Sequence, residues 1–280
     1  MDGELSIEVK DSGMNNLIAE EVKKDKRGPS MEVSEDEMDS SKEEEIWRGR
    51  RDRMNNAMTA SRAVAGQDPA ETYAAACRLT NVINNADIEE FISEIESFAD
   101  RTDLFAVLKT MWPSNGSVLH CAAIARKDDI LRLLINSVGE HLIDAQDEWG
   151  NTPLHMVATL GGSTRAAEML IRRARDLPNV EDKNRLLRIK NKQGNTALHR
   201  AVINRHTDLV RYLLSEDLEP VYWKNAAHRS PLYEAIMIND SILQEVLFSL
   251  PLEPSRIKGL PPIHGAIAYE KRGMYFNLLM

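Results

Sequence analysis

Cysteine is scarce in this 280-residue chain, with only Cys77 and Cys121 present. Two thiols cannot form the disulfide framework of a small secreted domain, and both read as small buried residues. No run of about 18 consecutive apolar residues occurs, and the acidic N-terminus lacks a signal peptide's apolar core. The chain as given is therefore expected in the cytoplasm, with no membrane span of its own. Also missing are a Walker phosphate loop, a G-x-S-x-G elbow and a paired-cysteine motif, so neither catalysis nor a cofactor is expected. An excess of basic charge is lacking too. The first 46 residues hold 15 Asp and Glu against 6 Lys and Arg, and the remaining 234 balance at 29 against 29. A balanced region has no evident basic stripe for phosphate contacts, so nucleic acid is not an expected partner.

What the chain does contain is a recurring phrase: Gly-Asn-Thr-Pro-Leu-His at Gly150 to His155 and Gly-Asn-Thr-Ala-Leu-His at Gly194 to His199. Weaker copies stand in the same frame at Asn115 to His120, Arg229 to Tyr233 and Gly259 to His264. His120 to His155 is 35 residues, His155 to His199 is 44, His199 to Tyr233 is 34 and Tyr233 to His264 is 31. The phrase and a period of about 33 residues resemble the ankyrin repeat. The long step reads as a charged insertion across Arg172 to Arg188, placed in a loop after a second helix.

Each letter of the phrase has a mechanical part. The Gly permits positive φ at a hairpin turn, and Thr152 or Thr196 caps the following helix. Pro153 fits the first helical turn, while Leu154 and Leu198 point into the stack. The motif histidines His120, His155, His199 and His264 tie hairpin to helix. Being spaced one per repeat, at layers about 10 Å apart, they cannot share a metal at about 2 Å from each, so no metal site is expected. Second helices follow at helical period: Ile130, Leu131, Leu133 and Leu134; Ala166, Ala167, Met169 and Leu170; Leu209, Val210, Leu213 and Leu214; Ile242, Leu243, Val246 and Leu247.

The implied fold is all-α, an ankyrin-repeat solenoid of helix-turn-helix units with short β-hairpin loops, preceded by a disordered acidic N-terminal tail. Residues 1–70 are the tail and linker, 71–112 the capping helices, and 113–280 the repeats. The units run about 113–147, 148–191, 192–225, 226–258 and an incomplete 259–280. Leu278-Leu279-Met280 would leave an apolar end uncapped, open to self-association or to a longer chain. Within the tail, Leu5 to Lys10 alternates as a strand would, either a strand for a partner's sheet or a chance pattern. Arg48 to Arg53 reads as a nuclear-import signal, an anionic-lipid contact or a solvated linker.

Residues that vary between copies carry recognition. Hairpin-tip positions are Ser114 and Gly116; Glu148, Trp149 and Asn151; Lys192, Gln193 and Asn195; and Ala227 and Arg229. Inner-helix positions are Ile124, Thr159, Leu160, Ile203, Asn204, Met237 and Ile238. Trp149 is an aromatic anchor at a turn, or else folds against the next hairpin. The inner row is a groove for an amphipathic partner helix or for a segment of the same protein, or else part of the packing between repeats.

Ser117-Val118-Leu119-His120, Arg229-Ser230-Pro231-Leu232-Tyr233 and Pro262-Ile263-His264-Gly265-Ala266, together with the helices before them, resemble the plant ankyrin-transmembrane family that includes the accelerated-cell-death proteins. That resemblance implies a non-catalytic scaffold linked to defence and cell-death signalling. It equally suits a cytosolic regulatory domain cut from a membrane protein whose C-terminal helices would place it at the plasma membrane. His228 in place of the turn Gly, Tyr233 in place of the His and Pro261 in place of the Thr depart from the pattern. These departures make the C-terminal units the expected weak end.

Overall fold

The computed structural model describes residues 35–61, 69–109, 116–138, 142–161, 163–178 and 181–268. Its helices are α1 (Glu35–Ser61), α2 (Pro69–Asn85), α3 (Ile88–Ala99), α4 (Leu104–Lys109), α5 (Val118–Ile124), α6 (Asp128–Ser137), α7 (Pro153–Leu160), α8 (Thr164–Arg175), α9 (Arg185–Arg188), α10 (Ala197–Ile203), α11 (Thr207–Glu216), α12 (Pro231–Met237), α13 (Ser241–Phe248) and α14 (Pro262–Ala268). None of the described helices is long and apolar enough to cross a membrane.

Helices pack in two layers because each pair has one small-residue face and one branched apolar face. In the inner layer α5 packs on α7, α7 on α10, α10 on α12 and α12 on α14. Close approach is possible because Ala122, Ala158, Ala201 and Ala235 are completely buried at these contacts. In the outer layer α6 packs on α8, α8 on α11 and α11 on α13. Its core is the expected apolar set except that Met169 is half-buried and Ile242, at the start of α13, is 56% exposed. The buried face of that helix is Leu243, Val246 and Leu247, and Asp240 caps its first turn. Ile242 lies one residue off that stripe.

The inner helices start and stop at fixed offsets. Ser117, Thr152, Thr196 and Ser230 are the N-cap residues. Nine residues after each stands a residue with positive φ, namely Arg126, Gly161, Arg205 and Asn239. The chain reverses there into the second helix. Only Gly161 avoids the steric penalty of that conformation, about 1 kcal/mol or more for a residue with a Cβ.

A disordered tail reaching Ala70 is corrected by α1, whose last part joins the same compact unit as the repeats. Met54, Ala57, Met58 and Ser61 are buried, a spacing of three and four that marks one helix face. The Ser61 hydroxyl donates to Thr102 O at 2.7 Å and accepts from Leu104 N at 2.5 Å. The Arg48–Arg53 cluster is partly used in this docking. Arg50 pairs with Glu89 at 2.7 Å, and Arg53 pairs with Glu89 at 2.8 Å and Glu96 at 2.6 Å, both on α3. The charged background hid this face from the sequence reading, because Met54 and Met58 alone make a thin apolar stripe. Residues 1–34, including Leu5 to Lys10, lie outside the described part.

Helices α2 and α3 pack against the first repeat pair, α2 against α5 and α3 against α6. The insertion is a second correction, since it is more than a loop. It builds α9, which buries Leu186 and Leu187. Arg188 grips Asp217 with two hydrogen bonds, at 2.6 and 3.2 Å. Arg175 bridges Glu216 and Asn184 from the end of α8. Two leucines supply the apolar area that a solvated loop lacks. Residues after Ala268, with Leu278 to Met280, are outside the described part.

Candidate protein-binding face

Hairpins project from the start of each inner helix, and one side chain organises each. Asp147 Oδ1 accepts from Trp149 N at 2.8 Å and Asn151 N at 2.7 Å. Asn191 Oδ1 takes Gln193 N and Asn195 N at 3.0 Å each, and Asn225 Oδ1 takes Ala227 N and Arg229 N, also at 3.0 Å. A short side-chain acceptor thus satisfies two turn amides that have no other partner in the loop. The sequence reading missed these three residues. Their signal was available, for an Asp or Asn stands three residues before Gly150, Gly194 and His228.

Neighbouring hairpins are stitched together. Lys192 N donates to Trp149 O at 2.9 Å, Ala226 N to Gln193 O at 2.9 Å and Leu260 N to His228 O at 2.6 Å. The glycines allow this closeness: at Gly194, φ 75°, an added Cβ would lie 2.7 Å from Ala226 N. His228 adopts φ 59° at the corresponding place in the next unit, without glycine's freedom.

Below the hairpins runs a rail of buried imidazoles. Thr152 N donates to His155 Nδ1 at 3.2 Å and Thr196 N to His199 Nδ1 at 3.3 Å, as Ser117 N does to His120 Nδ1 at 3.0 Å. A backbone amide can only donate, so Nδ1 is the bare nitrogen and Nε2 carries the proton. That Nε2–H reaches a carbonyl of the following hairpin: His120 to Asn151 O at 2.9 Å, His155 to Asn195 O at 2.9 Å and His199 to Arg229 O at 3.3 Å. Burial pushes His155 and His199 down to about 4 and lowers His120 in the same direction. Neutral rings are what this geometry needs. His264 is the correction here, being exposed on α14; Pro261, in the place of the capping Thr, offers neither hydroxyl nor amide to orient it.

The expected site residues divide into two groups. Asn151 and Asn195 belong to the scaffold, because Asn191 Nδ2 donates to Asn151 Oδ1 at 2.8 Å and Asn225 Nδ2 to Asn195 Oδ1 at 3.0 Å. Asn204 turns back to Arg200 O at 2.8 Å, and Ile238 packs against the core. Arg229 lies 5.7 Å from the Tyr233 ring and 3.7 Å from Glu234. Glu148, Lys192 and Gln193 are exposed. Trp149 is 55% and Leu160 41% exposed, while Ile203 and Met237 are half-buried. Ser114 lies outside the described residues, and Thr159 is engaged by Arg200 Nε at 2.9 Å. Arg200 was missed by the sequence reading. It is half-buried on the inner layer, and burial lowers its pKa.

Paired antiparallel helices stacked in two layers, with hairpins projecting from the inner one and a histidine joining each to the next, define a helical-repeat solenoid. Two family models match it: ankyrin repeats (many copies) over residues 119–171 and ankyrin repeats (3 copies) over residues 179–256. The matched segments of the chain are ankyrin repeats. The chain is similar to the putative ankyrin repeat protein FPV014 of fowlpox virus (strain NVSL), 42% identical over 52 residues, which is 19% of this chain and 12% of that relative. The chain thus matches a small part of the length of that curated relative.

Proposed function

We propose that this chain is a protein-binding scaffold whose contact surface comprises the hairpin tips and the exposed part of the inner-helix row. The observation that carries the reading is Trp149. Its backbone is locked by Asp147 and by the Lys192 amide, yet its side chain remains 55% exposed. A rigidly held, exposed indole is a low-entropy anchor, and such anchors dominate binding energy. Leu160, at the end of α7, extends the apolar part of the surface, while Lys192 and Gln193 supply a polar rim.

The test is quantitative capture of partners with wild type, Trp149→Ala and Leu160→Asp in parallel. Removing the indole should weaken the principal complex by about 2 kcal/mol, roughly thirtyfold in Kd, with the melting midpoint unchanged. Equal recovery of the same partners at the same strength would place the contact surface elsewhere. Unfolding of Leu160→Asp would make that residue part of the packing.

The finer role follows from the likeness of Ser117–His120, Arg229–Tyr233 and Pro262–Ala266 to the plant ankyrin-transmembrane proteins. On that reading the scaffold serves defence and cell-death signalling from the cytoplasm, or from the cytosolic face of the plasma membrane as part of a longer protein. Fractionation of the product of the full transcript distinguishes the two locations. Recovery in the nucleus alone would contradict both.

A further inference from the structure

Equal numbers of acidic and basic residues beyond position 46 led to the expectation that the repeats carry no basic stripe. The structure distributes the two signs unevenly. Around the third to fifth units, arginines already engage the carboxylates: Arg188 holds Asp217 at 2.6 Å and Asp182 at 3.2 Å, and Arg256 holds Glu219 at 2.5 Å and Glu253 at 3.5 Å. Lysines are left over. Lys190, Lys224 and Lys258 stand 34 residues apart, each at the same register on the chain entering its hairpin.

Two of the ammonium groups meet a backbone carbonyl and aromatic rings. Lys190 Nζ donates to Lys224 O at 2.8 Å and stands 5.5 Å from the Trp223 ring, and Lys224 Nζ lies 2.9 Å from His228 Nδ1. Among the described residues, no carboxylate forms an ion pair with any of the three. Burial first, and then the charges of Lys258 and Lys224, hold Lys190 below the usual lysine range. A row of cations that repel one another, without an ion-paired carboxylate among the described residues, favours an external anion.

We infer that the lysine row Lys190–Lys224–Lys258 binds an extended acidic segment of a partner protein, with carboxylates near every third residue. The spacing favours this class. Stacked helical units lie about 10 Å apart, and a chain extended as polyproline II advances about 3.1 Å per residue with about three residues per turn, so every third side chain returns to the same face and meets the next hairpin. Duplex DNA carries one charge per about 1.7 Å, far denser than the row. The inference rests on the hairpins being the binding surface, but it does not require Trp149.

The probe is a fluorescein-labelled twelve-residue peptide of Gly, Ser and Ala with Glu at every third position, titrated with the full chain and followed by anisotropy. A Gln-for-Glu peptide is the control. Expected results are at least tenfold tighter binding of the Glu peptide, weakening with added salt, and loss of that preference in the triple Lys→Glu variant. The triple Lys→Arg variant should retain it. A triple Lys→Gln variant gives the same readout if charge reversal lowers the melting midpoint. Unchanged peptide binding in the Lys→Glu and Lys→Gln variants would overturn the inference. So would tighter, lysine-dependent binding of a DNA oligonucleotide or of phosphatidylserine vesicles. Trp149→Ala should bind the peptide as wild type does, so failure of the lysine row and failure of the Trp149 surface are read separately.

Discussion

Lowering the pH from 7 to 5 should remove on the order of 2 kcal/mol of stability for each of His155 and His199, about 4 kcal/mol together. Both rings are held near 4 in the folded protein, chiefly by burial, whereas an imidazole in the unfolded chain titrates near 6.5. The unfolded state therefore binds more protons throughout this window. The stabilising contribution is fully present above about 6.5 and is lost as the pH falls towards 4. His120 is shifted in the same direction. A domain stable by about 5–15 kcal/mol has little margin for such a loss.

The geometry explains why protonation is so unwelcome. Each Nδ1 faces a backbone N–H and a hydroxyl, so a proton there would set donor against donor. The rings also act on one another, since His120 lowers His155 and His155 lowers His199. Thermal melts followed by circular dichroism should be nearly flat from pH 8 to 7 and fall steeply between 6.5 and 5, a window above the ordinary carboxylate range. His155→Gln should be weaker at pH 7 and respond less to acid. A flat profile to pH 5 would show that the rail is not the acid-sensitive element.

Gly194→Ala should destabilise the protein by about 3 kcal/mol, combining left-handed backbone strain with loss of a hairpin hydrogen bond. The residue sits at φ 75°, and the new Cβ would stand 2.7 Å from Ala226 N and 3.1 Å from Asn225 C. Those atoms are backbone and cannot turn aside. The amide displaced is the one that joins two hairpins through Gln193 O at 2.9 Å. Gly49→Ala is the comparison, because nothing lies within 4 Å of its added Cβ in the exposed part of α1. Alanine there should stabilise by up to about 1 kcal/mol. Urea titrations of the two variants should move the midpoint in opposite directions. Equal behaviour would mean that the hairpin yields without strain.

Much of the repeat core was legible in one dimension, because the forces that build each unit are local. A capping hydroxyl, a turn glycine and a helical apolar stripe act within a few residues, and Thr152, Gly150 and Leu154 could be assigned from their neighbours alone. Failures came where the apolar signal was weak or the partner distant in sequence. Met54 and Met58 lie in a charged stretch, and the hydrogen bonds and ion pairs that dock their helix reach residues dozens of positions away. Ile242 fits the period within its tolerance but faces solvent. Asn151 and Asn195 read as hairpin-tip surface residues until the next hairpin's asparagine is placed beside them.

The sequence by itself determined the unit: its length, its caps, its turns and the apolar residues that each helix must bury. Tertiary structure decided what became of everything else. It enlisted Arg50 and Arg53 in docking α1, folded the insertion into α9, and gave two of the candidate contact residues to the scaffold while leaving Trp149 exposed. The physical reason is range. Hydrogen bonding and helix periodicity act between near neighbours in the chain, whereas burial and charge pairing depend on which surfaces are stacked together.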